Sequence, residues 1–471
     1  MNINYYKKIC NYCDRILLSN KSSIYTHSIT SLHVLKEHPL LLRDYFNFKK
    51  KKHEEKNELF KKIIIYFLDF FRERKNFDLN NFQKTGSDVL IISNIINISH
   101  AKKNYDFYFG DLEKYLNKKK IKTLTALRNF TDLPSFKLKN KLNNNKILFY
   151  RKSSLFNEII ILYRIIMEYF FIRKNYNFPE IHNLKKNFLS LFSLRSMVYN
   201  LRLKHQIEEM IKIINPKLVI IPFEGHAWER VIIKTIKDIN SNIKIAAYQF
   251  SVTTKYQHSI FRPLKKGYNP DIIYTSGDIT KKKFENKYNC KIDILGSNKF
   301  YNYSKKRKKF KNNFLIVPEG FESETELMLN FIKTLSKNYK DCSFYFRIHP
   351  RMNKDKYKKN TKNYNNIIIS ENTLVSDLKR CSYLIFRGSS TVFEAIKFGL
   401  KPIYLSINNL DINPLHDVYP KKLYIKKNKD LKNAMFFLKN RNINKKLIKY
   451  TNCYFSKFNF KNIKKLIKNL N

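Results

Sequence analysis

Short apolar runs of strand length alternate with longer amphipathic stretches over most of the chain, beginning near Gly86. Residues 89–92 and 217–221 are such runs in the first half, and residues 314–317 and 383–386 repeat the pattern in the second half. A strand that is apolar on both faces is typical of a parallel sheet covered by helices on both sides. The alternation therefore predicts an α/β protein in which crossover helices connect parallel strands.

A basic polar stretch without apolar periodicity, residues 301–313, interrupts this alternation and is predicted to link two domains. Residues 86–300 before it and residues 314–438 after it are each expected to form a Rossmann-like domain. The flanking segments, residues 1–85 and 439–471, are predicted to be helical, and the second of them is strongly basic.

The most apolar helical segment is residues 155–172, which Glu158, Arg164 and Glu168 interrupt. These charges argue against a helix that spans a membrane. A helix packed in the protein core is predicted, and a helix that lies at a membrane interface is the alternative.

Cys10, Cys13, His27 and His33 have the spacing of a zinc finger with two Cys and two His ligands. The region is poor in glycine turns, and its apolar pattern is typical of a packed helix. The sequence therefore leaves open whether these four residues bind zinc.

The chain contains 92 Lys and Arg against 38 Asp and Glu, a formal net charge of +54. Such a charge often indicates nucleic acid or an anionic membrane as partner. The lysines are spread along the whole chain and no reader module for nucleic acid is recognised, so no nucleic-acid partner is expected. Residues 421–471, whose single acidic residue is Asp430, are expected to lie against anionic lipid.

The six cysteines have no regular spacing, which favours a reducing compartment. The first twenty residues lack the uninterrupted apolar core of a signal peptide. A cytoplasmic protein is expected, with peripheral attachment to the inner face of the cell membrane as a further expectation.

Polar motifs follow directly on predicted strands, at the point where each strand ends. In the second half these motifs are Glu319-Gly320, His349-Pro350-Arg351 and the turn Arg387-Gly388-Ser389-Ser390-Thr391. In the first half, Glu224 and His226 follow the strand at residues 217–221. Because the carboxyl ends of parallel strands lie at the same edge of a sheet, the motifs of each half are expected to converge.

The motifs of the second half predict an anion site beside groups that can transfer protons. Thr391 and Glu394 fit a capping box at the start of a helix, whose N-terminus would attract a phosphate. Arg347, Arg351 and Arg387 would neutralise the phosphate charge. The chain has no Asp-x-Asp motif, so no catalytic metal and no cofactor besides a nucleotide-sugar substrate is expected.

The order of these motifs resembles that of the GT-B glycosyltransferases of bacterial surface-polysaccharide synthesis. The likeness is to enzymes that use CMP-sialic acid or CMP-Kdo and to the related CDP-glycerol transferases. The segments FEGHAWER (residues 223–230) and LGSNKF (residues 295–300) also resemble a family of predicted surface-carbohydrate biosynthesis proteins. The resemblance covers roughly residues 88–438 and implies two Rossmann-like domains that face a central cleft.

By this resemblance, the donor phosphate would contact His349, Pro350, Ser389, Ser390 and Thr391. Gly320, Arg351, Arg387 and Gly388 are expected to complete the site. Glu394 is expected to cap the helix, with a contact to the donor ribose as the alternative.

The resemblance also makes Glu319 the acid–base candidate. The sialyltransferase pattern has two adjacent acidic residues before the glycine, whereas this chain has Pro318-Glu319-Gly320, so the assignment stays open. Glu224 and His226 are the rivals, since an inverting transferase needs a base beside the acceptor hydroxyl.

The expected activity is metal-independent, inverting transfer of a sugar from a nucleotide donor, with CMP- or CDP-linked donors favoured. The expected acceptor is a glycan or lipid-linked glycan of capsule, lipopolysaccharide or O-antigen. A sugar-nucleotide epimerase of the same fold and a basic nucleic-acid-binding protein are the alternatives. The sequence does not determine the donor sugar, the acceptor or the oligomeric state.

Overall fold

The chain forms two compact units. The N-terminal unit comprises Ile3–Ser251, Gln257–Asn298 and Ser456–Asn471, and the C-terminal unit consists mainly of Val252–Tyr256 and Lys299–Phe455. The computed structural model describes residues 3–43, 86–96, 105–131, 138, 142, 145–149, 154–176, 191–300, 312–350, 352–407 and 410–468. Most of the predicted linker, residues 301–311, and residues 44–85 of the N-terminal region lie outside the described residues.

The described part of the N-terminal unit contains a seven-stranded sheet in the order β3-β2-β1-β4-β5-β6-β7. All neighbouring strands are parallel. The strand order reverses between β1 and β4, as it does in the Rossmann fold. The strands are β1 Val89–Ile95, β2 Thr123–Asn129, β3 Lys146–Leu148, β4 Leu218–Pro222, β5 Lys244–Gln249, β6 Ile272–Thr275 and β7 Lys291–Ile294.

The described part of the C-terminal unit contains a six-stranded parallel sheet in the order β10-β9-β8-β11-β12-β13. This order repeats that of the first sheet, with the reversal between β8 and β11. The strands are β8 Asn313–Val317, β9 Ser343–Phe346, β10 Ile367–Ile369, β11 Tyr383–Phe386, β12 Lys401–Leu405 and β13 Tyr424–Ile425. The predicted α/β fold with two Rossmann-like domains is therefore confirmed.

Helices connect the strands and cover both faces of the first sheet. In the described residues of the N-terminal unit they are α1 Ile3–Leu17, α2 Ile24–His27, α3 Thr30–Val34, α4 Leu112–Lys118, α5 Leu155–Asn175, α6 Leu191–Ile214, α7 Ala227–Ile239 and α8 Asp278–Glu285. The helices that follow β8 along the chain are α9 Glu322–Asn338, α10 Lys354–Thr361, α11 Leu374–Arg380, α12 Thr391–Lys397, α13 Asp430–Phe437, α14 Arg441–Tyr454 and α15 Lys461–Lys468.

The central strands are apolar on both faces because each face packs against helices. Along β4, Val219 and Ile221 pack in a core cluster with α6 and α7. The alternate residues Leu218 and Ile220 pack in a second cluster with α4 and α15 on the opposite face. Each fully buried side chain of this size contributes about 1.5–3 kcal/mol relative to an exposed one. The core therefore fixes the strand ends that carry the polar motifs.

The N-terminal helices are attached to the loop that follows β5. The backbone N–H groups of His258 and Ser259 donate to the carbonyl oxygens of Glu37 and Lys36, at 3.3 and 3.2 Å. The ammonium of Lys36 is buried and pairs with Asp14 of α1 at 2.7 Å. The helical prediction for residues 1–85 thus holds for its described part, residues 3–43.

The four zinc candidates do not form a metal site. The described residues contain no group of three or more His, Cys, Asp or Glu side chains that could hold a metal ion. Cys10 and Cys13 are buried in α1, and the ring of His27 stacks on Tyr268 with 3.8 Å between ring centroids. The spacing is therefore that of residues packed in a helical core.

Helix α5 buries Ile161, Ile165 and Ile172, as predicted for a core helix, but a row of its other large apolar side chains is exposed. Phe156 is 71% exposed and Ile159 is 64% exposed. None of the described helices is long and apolar enough to cross a membrane.

The basic C-terminal segment, predicted as one helix from residue 439, consists of two helices. The first, α14, ends at Tyr454 in the C-terminal unit, whereas α15 belongs to the N-terminal unit. Ile463 and Ile467 of α15 are buried in the core of that unit. The segment is therefore divided between the two units. In α15, the lysines flank the face whose isoleucines are buried.

Candidate functional site

The polar motifs of the second half follow neighbouring strands of one sheet. Glu319 and Gly320 follow β8, which pairs with β11 on one side and β9 on the other. Gly388 follows β11, and His349 follows β9. The reversal of strand order between β8 and β11 is where open α/β sheets bind their ligands.

Two side chains of these motifs lie against the backbone of glycines in the neighbouring motifs. A Cβ atom on Gly388 would fall on the position of the Glu319 carboxylate oxygen Oε1, so the carboxylate lies directly over the Cα of Gly388. A Cβ atom on Gly320 would lie 3.1 Å from ring atoms of His349. Two glycines thus allow a carboxylate and an imidazole to approach the backbone at the same sheet edge.

The turn that follows Gly388 does not form the predicted capping box. Helix α12 begins at Thr391, its N-cap residue is Ser390, and the N-cap side chain makes no capping hydrogen bond. The Ser390 Oγ instead accepts a hydrogen bond from the Lys299 ammonium at 3.0 Å, and the Thr391 N–H donates to the Ser389 Oγ at 3.4 Å. Burial raises the pKa of Glu394, although the charges of Lys299 and Arg347 oppose the shift.

Arg387 is not placed where it could bind a phosphate, contrary to the sequence-based expectation. Its guanidinium is buried and its Nε donates to Glu324 of α9 at 2.5 Å. Its Nη1 donates to the carbonyl oxygens of Leu405 and Ile407 at 2.8 and 3.0 Å. The side chain therefore joins β11 to α9 and to the end of β12.

Arg347, a second arginine expected at the phosphate, donates its hydrogen bonds within the C-terminal unit. The Nη1 of Arg347 donates to Asp377 at 2.8 Å and to the carbonyl oxygen of Asn372 at 2.7 Å. Arg351 lies outside the described residues, and Pro350 beside it is exposed. The cation that contacts the hydroxyl turn is Lys299, a residue that the sequence analysis did not select.

The N-terminal unit has its own cluster of titratable groups at the end of β4. The Nε2 of His226 lies 2.9 Å from the Glu37 carboxylate, and its Nδ1 lies 3.9 Å from Glu224 and 3.8 Å from Glu229. Glu229, in the first turn of α7, accepts hydrogen bonds from the backbone N–H groups of Glu224, Gly225 and His226. Glu229 consequently anchors the loop that carries the other two side chains.

The charges of this cluster strongly shift the pKa values of Glu224 and His226. Burial raises the pKa of Glu224 to about 7; the His226 imidazolium opposes the shift, and Glu37 and Glu229 add to it. Burial lowers the pKa of His226, but the carboxylates of Glu37, Glu229 and Glu224 outweigh it and raise that pKa to about 10. At neutral pH His226 is therefore a cation, and Glu224 is the group whose pKa suits a general base.

Glu37 and Lys299 could not be selected from the sequence. Glu37 lies 189 residues before His226 in the chain and comes from the N-terminal helical region. Lys299 is one of many lysines in a chain of high Lys content, and no motif marks it. The only signal near either residue was the phrase LGSNKF, which contains Lys299.

Comparison with models of protein families gives no match, and comparison with curated protein sequences gives none either. Solved structures that are similar include UDP-GlcNAc 2-epimerase from Neisseria meningitidis, at 11% identity over 81% of this chain and 98% of that chain, with a TM-score of 0.43. UDP-GlcNAc 2-epimerase from Methanocaldococcus jannaschii has 13% identity over 75% and 93% of the two chains, with a TM-score of 0.41.

CalG4, the calicheamicin glycosyltransferase, has 9% identity over 82% of this chain and 98% of that chain, with a TM-score of 0.47. The similar structures thus include both epimerases and glycosyltransferases. At these identities and TM-scores they assign neither activity to this chain.

Proposed function

We propose that the protein is a GT-B glycosyltransferase that takes a sugar from a nucleotide donor bound at the C-terminal sheet. The observation that carries the proposal is the contact of Glu319 with Gly388 and of His349 with Gly320 at the reversal of strand order. A Rossmann-type sheet binds nucleotides at this place. Lys299 and the hydroxyls of Ser389, Ser390 and Thr391 supply the groups for the donor phosphate there.

Glu224 acts as the general base in this proposal, because its pKa of about 7 leaves it partly deprotonated at neutral pH. It takes the proton of an acceptor hydroxyl, whose oxygen forms a bond to the anomeric carbon of the donor sugar. The bond between that carbon and the phosphate oxygen breaks, and the leaving nucleotide carries away the electron pair. Lys299 and His349 stabilise the charge that develops on the phosphate.

The finer donor assignment is a cytidine nucleotide, CMP- or CDP-linked, and the acceptor is a bacterial surface glycan or lipid-linked glycan. Both follow from the resemblance in motif order. None of the described motif residues reads the base, so binding of CMP and CDP against UDP, GDP and dTDP decides the donor. A tenfold preference corresponds to about 1.4 kcal/mol.

An epimerase is the second candidate, because an acid–base pair such as Glu224 and His226 could also move a proton on the donor sugar. Product analysis separates the two activities. Nucleotide sugars are incubated with the full chain, with and without a mixture of glycan acceptors, and followed by NMR. Free nucleotide together with a glycosylated acceptor is expected. An epimerised nucleotide sugar formed without acceptor would assign the epimerase activity instead.

A further inference from the structure

Helix α5 presents a continuous apolar stripe to solvent. At intervals of three and four residues, which correspond to one helix face, its large apolar side chains are between about half and three-quarters exposed. We call this set the α5 stripe: Phe156, Ile159, Tyr163, Ile166, Met167 and Phe170. An exposed apolar patch of this size marks an interaction site.

The opposite face of α5 carries its two acidic residues into the protein. The Glu158 carboxylate accepts two hydrogen bonds from Arg202 of α6, at 2.6 and 2.7 Å. The Glu168 carboxylate accepts a hydrogen bond from the Thr26 hydroxyl at 2.5 Å. The inward face of α5 thus combines these two buried carboxylates with the buried side chains of Ile161, Ile165 and Ile172, while large apolar side chains remain on the outward face.

The charges that remain exposed on α5 are all positive. They belong to Arg164, beside the stripe, and to Arg173 and Lys174 in the last turn. An apolar stripe with basic residues around it and no exposed carboxylate on the same helix complements an anionic lipid surface. A second copy of this chain is a poor match, because each copy carries a formal net charge of +54.

We propose that α5 is a docking helix that lies in the interface of an anionic membrane, with the α5 stripe inserted among the lipids. The charged residues of the helix exclude a spanning position, in agreement with the hydropathy of the described helices. Insertion gains the free energy of apolar burial, and Arg164, Arg173 and Lys174 contribute attraction to the headgroups. This proposal is independent of the reaction that the protein catalyses.

Vesicle binding tests the docking helix. The full chain is mixed with vesicles of phosphatidylcholine alone or with 30 to 40 mol% phosphatidylglycerol, roughly the anionic fraction that gives a strongly negative surface. Binding is measured by flotation at low and high salt. The test variant is Phe156→Ser with Ile159→Ser, and the matched control is Phe436→Ser with Val375→Ser, two exposed apolar residues of the C-terminal unit.

The wild type and the control are expected to float with the anionic vesicles, and high salt should weaken their binding without abolishing it. The test variant should bind at least tenfold more weakly. Equal binding of the test and control variants would overturn the proposal and assign lipid binding to the basic surface alone. Absence of binding by the wild type would overturn it as well. So would a wild-type dimer that the test variant converts to a monomer without vesicles, because a second copy would then cover the stripe.

Discussion

At the scale of single residues, the cluster of Glu224, His226 and Glu37 predicts the pH dependence of the reaction. As the pH rises through about 7, Glu224 loses its proton and takes the form that serves as the base in the proposed mechanism. As the pH rises through about 10, His226 loses the proton that makes it a cation. The value of kcat/KM, which reports the free enzyme, is therefore expected to rise up to about pH 7 and to fall above about pH 10.

The substitution Glu37→Gln tests this origin of the two pKa shifts. The lost negative charge had raised both pKa values, so both limbs of the profile should move to lower pH. The control is Glu208→Gln, which removes a carboxylate that contacts Lys204 and His205 on α6. If the rise and the fall of kcat/KM occur at the same pH values in the Glu37→Gln variant as in the wild type, other groups control the rate.

The sequence allowed a good prediction of the positions of Glu319, His349 and Gly388, because each follows a recognisable buried strand. The contacts of the Arg387 side chain differ from the phosphate contact that the sequence analysis expected. The partners of its guanidinium, Glu324 and the backbone carbonyls after β12, are distant in the sequence and become neighbours only through the fold.

At the scale of elements, the attachment of α1 to the segment after α3 positions Glu37. Asp14 of α1 pairs with the buried Lys36 and accepts from the His258 ring at 2.8 Å. The substitution Asp14→Asn would leave the Lys36 ammonium buried without its carboxylate, a loss of about 3–5 kcal/mol in the free energy of unfolding. Urea unfolding of the N-terminal unit can be followed by the fluorescence of Trp228, the single tryptophan of the chain.

The matched control is Asp238→Asn, which removes the exposed partner of Lys234 on α7. An exposed pair contributes less than about 1 kcal/mol, so the unfolding midpoint should change little. Similar midpoints for the two variants would contradict a structural role of the Asp14–Lys36 pair.

Element types were predictable wherever an apolar run is buried on both faces, as in β4 and β11. The prediction of a core helix holds for only one face of α5, because hydrophobicity alone does not show which face of a helix packs inward. The ion pair of Glu158 with Arg202 determines that orientation, and it joins residues of two different helices.

At the scale of the whole molecule, the order of strands in both sheets follows from simple rules. Most successive parallel strands lie side by side, and one reversal of the order in each sheet gives the arrangement that both sheets share. The assignment of α15 to the N-terminal unit was not predictable, because a basic segment with two isoleucines on one face has no sequence signal for its packing partner.

The central claim is that a nucleotide binds where Glu319, His349 and Gly388 meet. Calorimetric titration with CMP, CDP, UDP, GDP and dTDP tests it on the wild type and on two pairs of variants. His349→Ala is paired with His205→Ala, which changes a half-buried histidine of α6, and Gly388→Ala is paired with Gly86→Ala, where a Cβ meets open space.

At least one nucleotide is expected to bind the wild type and both control variants with the same affinity. His349→Ala removes the proposed contact to the phosphate, and the new methyl group of Gly388→Ala displaces the Glu319 carboxylate, so each should bind at least tenfold more weakly, a difference of about 1.4 kcal/mol. Failure of all five nucleotides to bind, or equal affinity in all variants, would contradict a nucleotide site at this edge of the C-terminal sheet.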